Sequence, residues 1–147
     1  MGRNGVTGII VSLTSEVADR IFHHHEVYAM LSEKGTTELS EGDRFFLYDT
    51  TGKWLEGEAS IEKVSFEPAR EVRGYGHDLY LTGDELTRYL SDAGGDDDSN
   101  MLVLKVEDAT KYSRPVKCSV PVGKDGIYVD PKLSAKILRE NQGCLQI

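Results

Sequence analysis

Hydrophobic and polar positions alternate along this chain in two distinct rhythms. Residues 6–14 (VTGIIVSLT) are apolar and β-branched, which predicts a first strand. In the following SEVADRIFHH, Val17, Ala18, Ile21 and Phe22 recur at helical spacing. Thr14 or Ser15 is placed to cap that helix, and Glu16 suits its positive end. EVYAMLS (26–32) has β-formers without helical order and predicts a second strand. KGTTELSEGD (34–43) reads as a polar loop. RFFLYD (44–49) and WLEGEASIEKVSFE (54–67) flank TTGK, so a hairpin is expected, with Gly52 in its turn.

The return strand of that hairpin sets Leu55, Gly57, Ala59 and Ile61 against Glu56, Glu58, Ser60 and Glu62, the pattern of a half-buried antiparallel strand. After Lys63 the apolar phase changes to Val64 and Phe66, which predicts a bulge. Residues 68–81 read as irregular. Thr82 and Glu85 form a capping box at the head of a helix over 82–92. MLVLKVED (101–108) is expected to be a central strand. KYSRPVKCSVPV (111–122), interrupted by Pro115 and Pro121, is expected to be a separate edge or bulged strand. GKDG (123–126) reads as a hairpin turn, and Asp130-Pro131 opens a final helix that Gly143 follows.

No repeat or linker divides the 147 residues, so one domain over 1–147 is expected. Hairpin signals outnumber strand-helix-strand units. The fold class is therefore α+β: a small, mostly antiparallel β-barrel with two or three helices packed over its ends.

Composition narrows the function classes. With 39% hydrophobic and 29% charged residues the chain is globular, and no apolar run reaches the ~20 residues of a membrane helix. No secretory signal is evident, so a cytoplasmic location and no membrane partner are expected. Seventeen basic against 25 acidic side chains leave a net charge of −8, which argues against a protein that coats nucleic acid nonspecifically. A small basic groove on an acidic body remains compatible with that charge. GGDDDSN (94–100) reads as a solvated loop, because it lacks the alternating ligand pattern of a calcium loop. Cys118 and Cys144 share no metal spacing and read as ordinary thiols.

Candidate chemistry centres on His23, His24 and His25, at the junction of the first helix and second strand. On a helix the three fan out by ~100° steps, and on a strand only His23 and His25 share a face, so they do not converge on a metal. No metal and no cofactor are expected. The readings left are a helix terminus, where a histidine cation complements the dipole, and the rim of a cleft. Tyr28, Tyr48, Trp54, Tyr75 and Tyr80 accompany Arg44, Lys53, Arg70 and Arg73, and rings beside guanidinium groups are the parts of a site for unstacked bases. Core packing accounts for some of these rings equally well. Glu58 and Glu62 share a strand face and read as an acid/base pair or as a solvent-facing stripe.

The order of elements is similar to the PUA-like superfamily, in particular its ASCH branch. GIIVSLTSEVADRIFHHHEVYAML resembles the opening strand-helix-motif unit, EGDRFFLYD and LEGEASIEKVSF the Gly-Asp strand and its return, and MLVLKVED the late barrel strand. The resemblance covers residues 6–108. Residues 109–147 look like the extension seen in an uncharacterised archaeal family of this type. ASCH proteins typically carry G-x-K-x-x-E-x-R at the end of the first helix, and HHHEVYAM stands there instead. Some members are amidohydrolases acting on acetylated cytidine through a Lys, a Thr and a Glu. His25, Glu26 and Val27 occupy that neighbourhood here, so that activity is not carried over.

What the resemblance implies is an RNA- or nucleotide-binding module with a cleft between the first helix and the barrel. His24, His25, Tyr28, Arg44, Trp54 and Arg73 are its expected ligand-binding residues. The alternative is a small hydrolase, of amidohydrolase or ribonuclease type, acting on a modified nucleoside or RNA. Its candidate catalytic residues are His25, Glu26 and Glu58. The sequence leaves the oligomeric state open.

Overall fold

The computed structural model describes residues 5–24, 26–32, 38–122 and 126–141. Its six strands are β1 (Gly8–Leu13), β2 (Glu26–Ser32), β3 (Arg44–Asp49), β4 (Trp54–Pro68), β5 (Asn100–Lys117) and β6 (Ile127–Val129). The helices are α1 (Ser15–His23), α2 (Ala69–Arg73), α3 (Gly83–Asp92) and α4 (Pro131–Glu140), with one 3₁₀ turn at Gly76–Asp78. The strands form one sheet in the order β2-β5-β4-β3-β1-β6. Only β1 and β3 run parallel; every other neighbouring pair is antiparallel. The sheet curls towards a barrel without closing, since β2 and β6 stand at opposite ends of the order. This is the α+β, barrel-like architecture that the hydrophobic pattern predicts.

Local chemistry accounts for the elements. The Thr14 hydroxyl accepts the Val17 N–H at the start of α1, and Val17, Ala18 and Ile21 are buried against the sheet. The capping box at α3 is complete: Thr82 Oγ1 accepts the Glu85 N–H, and a Glu85 carboxylate oxygen accepts the Thr82 N–H. Asp130 caps α4 by accepting the Leu133 N–H at 2.8 Å, with Pro131 at the first helical position.

Two cores lie on opposite faces of the sheet. Alternate residues of β1 divide between them: Ile9 and Val11 join the main core with Phe45, Leu47, Ala59 and Ile61, whereas Ile10 joins Tyr48, Leu55 and Val129 in the second. Here the expected apolar face of β4 is corrected. Leu47 pairs with Gly57 but Tyr48 with Leu55, so Glu56 is a bulge and Leu55 turns to the face opposite Ala59 and Ile61. The phase change expected after Lys63 comes just before it, as a register shift between Ile61 and Lys63.

Three further expectations are corrected. Residues 101–108 and 111–117 belong to one long strand, β5, bent where Asp108 takes a positive φ of 55° and where pairing with β2 ends at Glu107. Beyond that point one edge of β5 has no neighbouring strand among the described residues, and Pro115 has no ladder partner in the register with β4. The stretch 68–81 holds α2 and the 3₁₀ turn. β6 pairs with β1 rather than with β5, so the GKDG segment does not lead into a hairpin with the strand before it; residues 123–125 lie outside the described set. Among the described residues no helix is long and apolar enough to cross a membrane.

One ion pair ties α1 to α3. Arg20 Nη1 lies 2.5 Å from Glu85 Oε1 and also donates to the Tyr80 carbonyl at 3.0 Å. The Arg20 guanidinium, helped by the capping hydrogen bonds of Thr82, holds the Glu85 carboxyl below its ordinary range. A carboxyl depressed on folding stabilises the protein above its unfolded titration range, and that contribution is lost as pH falls through the folded value. Glu85→Gln should therefore lower the thermal midpoint by a constant amount at neutral pH, and the gap to the parent chain should close as pH falls, so that the variant has the shallower acid limb. A pH titration of the thermal midpoint checks this, and identical acid limbs would refute it.

Candidate functional site

The end of α1, the start of β2 and the segment 73–86 enclose a cleft of about 430 Å³. Val27, Leu79, Leu81 and Leu86 form its apolar floor, and Arg20, His24, Arg73 and His77 stand on its rim. Among the described residues no carboxylate lines it. Thr82 and Gly83, at the head of α3, complete the wall. The cleft thus opens between the first helix, the β2 edge of the sheet and the segment 73–86.

The rim cations are set by partners behind them. Arg73 donates to Asp97 at 3.0 Å, to Thr87 Oγ1 at 3.0 Å and to the Gly83 carbonyl at 3.3 Å. Arg70 pairs with Asp98 at 2.5 Å, and the carbonyls of Ser99 and Asp97 accept the Ala69 and Arg70 N–H groups. The acidic loop therefore docks α2, and two of its three aspartates are ion-paired. His24 terminates α1 with its Nδ1 2.7 Å from the Arg20 carbonyl, which leaves Nε2 for other partners. His23 bonds the Asp19 carbonyl in the same way and is exposed. His25 lies outside the described residues.

The remaining expected residues do not gather at this cleft. Tyr28 is half-buried and stacked on Tyr75, with ring centroids 4.3 Å apart and planes 9° from parallel. Glu67 accepts the Tyr75 hydroxyl, and burial followed by that carboxylate pushes the Tyr75 phenol up. Both rings already face each other and neither lines the cleft. Tyr80 is core, its hydroxyl donating to the Met30 carbonyl at 2.8 Å. Trp54 is 37% exposed at the β3–β4 hairpin. Arg44 pairs with Ser60 across β3–β4, six residues along β4 from Trp54, a separation of roughly 20 Å at strand rise.

Arg44 and Glu58 belong to a second, polar site on the sheet. Arg44 Nε lies 3.0 Å from Glu58 Oε2, Arg44 Nη1 donates to Ser60 at 2.8 Å, and Tyr112 donates to Glu58 Oε1 at 3.0 Å. Burial, reinforced by the Glu58 charge, raises the Tyr112 phenol. Next to it across β4 and β5 is a cluster that sequence spacing alone does not reveal. Lys105 Nζ lies 3.1 Å from Glu26 and 3.5 Å from Glu62. The hydrogen bond to Glu26 raises the Lys105 ammonium, and a hydrogen bond with Glu62 raises the Glu107 carboxyl. Glu26, Glu62 and Glu107 bring carboxylate oxygens within 4.8 Å of one another and are the metal-capable set among the described residues. The lysine cation already balances two of them. Glu26 faces this cluster, whereas its neighbour Val27 lines the cleft, as strand alternation requires. Strand pairing was the signal available: Glu26 sits opposite Glu107, and Ser60 opposite Glu107 on the other side.

Residues 6–131 match the family described as Domain of unknown function (DUF365). The chain belongs to that family. No curated protein matches its sequence. Among solved structures, the DUF365 chain is similar to ASCH from Zymomonas mobilis at TM-score 0.71 and 15% identity, covering 90% of this chain and 94% of that one. It is also similar to the N-terminal domain of Staphylothermus marinus McrB, at TM-score 0.57 and 11% identity, covering 95% of this chain and 98% of that one. These likenesses show an ASCH-like, PUA-like fold, which is what the element order resembles.

Proposed function

We propose that this domain binds RNA or a nucleotide in the cleft between α1 and α3. The observation that carries the reading is the distribution of charge. On a chain of net charge −8, the cleft gathers two histidines and two arginines, the arginines ion-paired from behind by Glu85 and Asp97, over an apolar floor with no carboxylate among its described lining residues. An apolar floor takes a base face, imidazole rings offer stacking surfaces, and guanidinium groups meet phosphate oxygens. Arg73 is held by Asp97 and Thr87, so ordering it on binding costs little side-chain entropy. Of the six expected binding residues, His24 and Arg73 are the ones that this reading retains as contacts. Trp54, Arg44 and Tyr28 fall outside it.

Fluorescence anisotropy with a 5′-phosphorylated single-stranded RNA tests the reading. Affinity should fall with salt, and Arg73→Gln should weaken binding and reduce the slope of log affinity against log salt by about one. His24→Ala with His77→Ala should weaken binding by at least about tenfold, in line with ~1–3 kcal/mol per stacked base. Trp54→Ala should leave it unchanged. Absence of binding at low salt, or loss with Trp54→Ala alone, would sink the proposal.

A second reading, hydrolysis of a modified nucleoside or RNA, is favoured by one observation: Lys105 is held between Glu26 and Glu62 beside Glu107. A lysine beside carboxylates, of which Glu107 has a raised proton affinity, supplies groups for acid/base work. Turnover of any nucleoside that disappears with Lys105→Met but survives His24→Ala would support it.

A further inference from the structure

A second cavity lies under α4, on the face of the sheet opposite the cleft, and shares only Tyr112 with the polar site above. It measures about 390 Å³, and its walls are Ile10, Phe46, Leu55, Val116, Val129 and Ile137. That volume and lining are in the range of small-molecule sites. α4 is lightly seated over it. None of its ten residues is buried, Leu133 and Ile137 are only partly buried against the second core, and Leu138 is 59% exposed although it lines the cavity.

The polar groups at the rim are unequal. Asn141 spends its amide on Lys117 and Ile137, and the Tyr112 hydroxyl is given to Glu58. Arg114 is exposed and makes no hydrogen bond or ion pair with any described residue. No carboxylate lines the cavity among the described residues. An apolar chamber with one uncommitted guanidinium at its edge is complementary to a molecule with an apolar body and a single anionic head.

We infer that the cavity under α4 binds a monoanionic amphiphile, a carboxylate whose apolar chain enters between α4 and β5 while its head pairs with Arg114. The ligand replaces water against Ile10, Leu55 and Val116, and α4 gains apolar contacts that it otherwise lacks.

Decanoate is the probe, titrated into the full chain and followed by methyl NMR shifts of Ile10, Val116 and Ile137. Saturation at one molecule per chain is expected. Decyltrimethylammonium, with the same tail and the opposite charge, should bind at least about fivefold more weakly, as should decanoate to Arg114→Gln. Decanol should bind the parent and Arg114→Gln alike. Ser134→Trp, which fills the chamber from an exposed helix position, should abolish binding of both. Equal affinity for the two charged probes, no effect of Arg114→Gln, or shifts that spread over the surface without saturating would each overturn the inference.

Discussion

Gly57→Val should destabilise the protein by about 3 kcal/mol, at the upper end of ordinary overpacking costs. A Cβ at Gly57 would stand 2.3 Å from the Thr110 carbonyl oxygen and 2.7 Å from the Phe22 ring. The first neighbour is backbone of β5, paired across the sheet with Gly57 and Glu58, so it cannot move without breaking ladder bonds. The second is the last apolar side chain of α1, packed over the glycine. Relief requires α1 to lift, and α1 carries Arg20 and His24 to the cleft. Chemical denaturation should therefore show a lower midpoint with little change in slope. A fall in Tm of roughly 6–12 °C follows for a chain of this size. If Gly57→Val unfolds with the parent's midpoint, the close approach of Phe22 to β4 is wrong.

Asn141→Leu should cost about 2 kcal/mol, and the loss should be concentrated in α4. Asn141 is 5% exposed and accepts the Lys117 N–H at 2.8 Å. Its amide donates to the Lys117 carbonyl at 2.9 Å and the Ile137 carbonyl at 2.7 Å. One side chain thus closes the C-terminus of α4 and pins it to the end of β5. Leucine has nearly the same volume but leaves those backbone groups without their partner, and a buried unsatisfied group costs more than a net hydrogen bond contributes. Because no residue of α4 is buried, few other contacts hold the helix down. Amide hydrogen exchange should accelerate across Leu133–Asn141 well before it does in β4 and β5. Uniform acceleration over the whole sheet would show instead that α4 is integral to the cooperative unit.

Much of the fold is legible in the order of residues. Capping chemistry is local, so Thr14, Thr82 and Asp130 announce their helices. Side-chain alternation is also local, so β1, β3 and most of β4 can be read one strand at a time. The errors occur where pairing overrides local pattern. Leu55 continues the alternation of β4 in sequence, yet Glu56 is extruded as a bulge and Leu55 joins the other core. The break around Asp108 looks like a strand end, but β4 accompanies β5 across it and keeps both halves extended. β6 is three residues long and exists because β1 offers it an edge.

The sites divide along the same line. Residue types alone pointed to histidines at the α1–β2 junction and to tyrosines and arginines spread over residues 28–80, and His24 and Arg73 do meet in one cleft. Tyr28 and Tyr75, 47 positions apart in chain order, are spent on each other, and Arg44 is spent on Glu58. Lys105 became a candidate only when β2 and β4 placed Glu26 and Glu62 on either side of it.

By itself the sequence determined the starts of α1, α3 and α4, the main hairpin, the α+β class and the histidine run at the α1–β2 junction, because each of these follows from contacts within a few residues. Only the tertiary structure decided which charges are neutralised and which remain available. Arg70 and Arg73 acquire Asp98 and Asp97, Arg20 acquires Glu85, and Arg114 acquires no described partner, since ion pairing depends on distances between strands and helices that chain order does not specify.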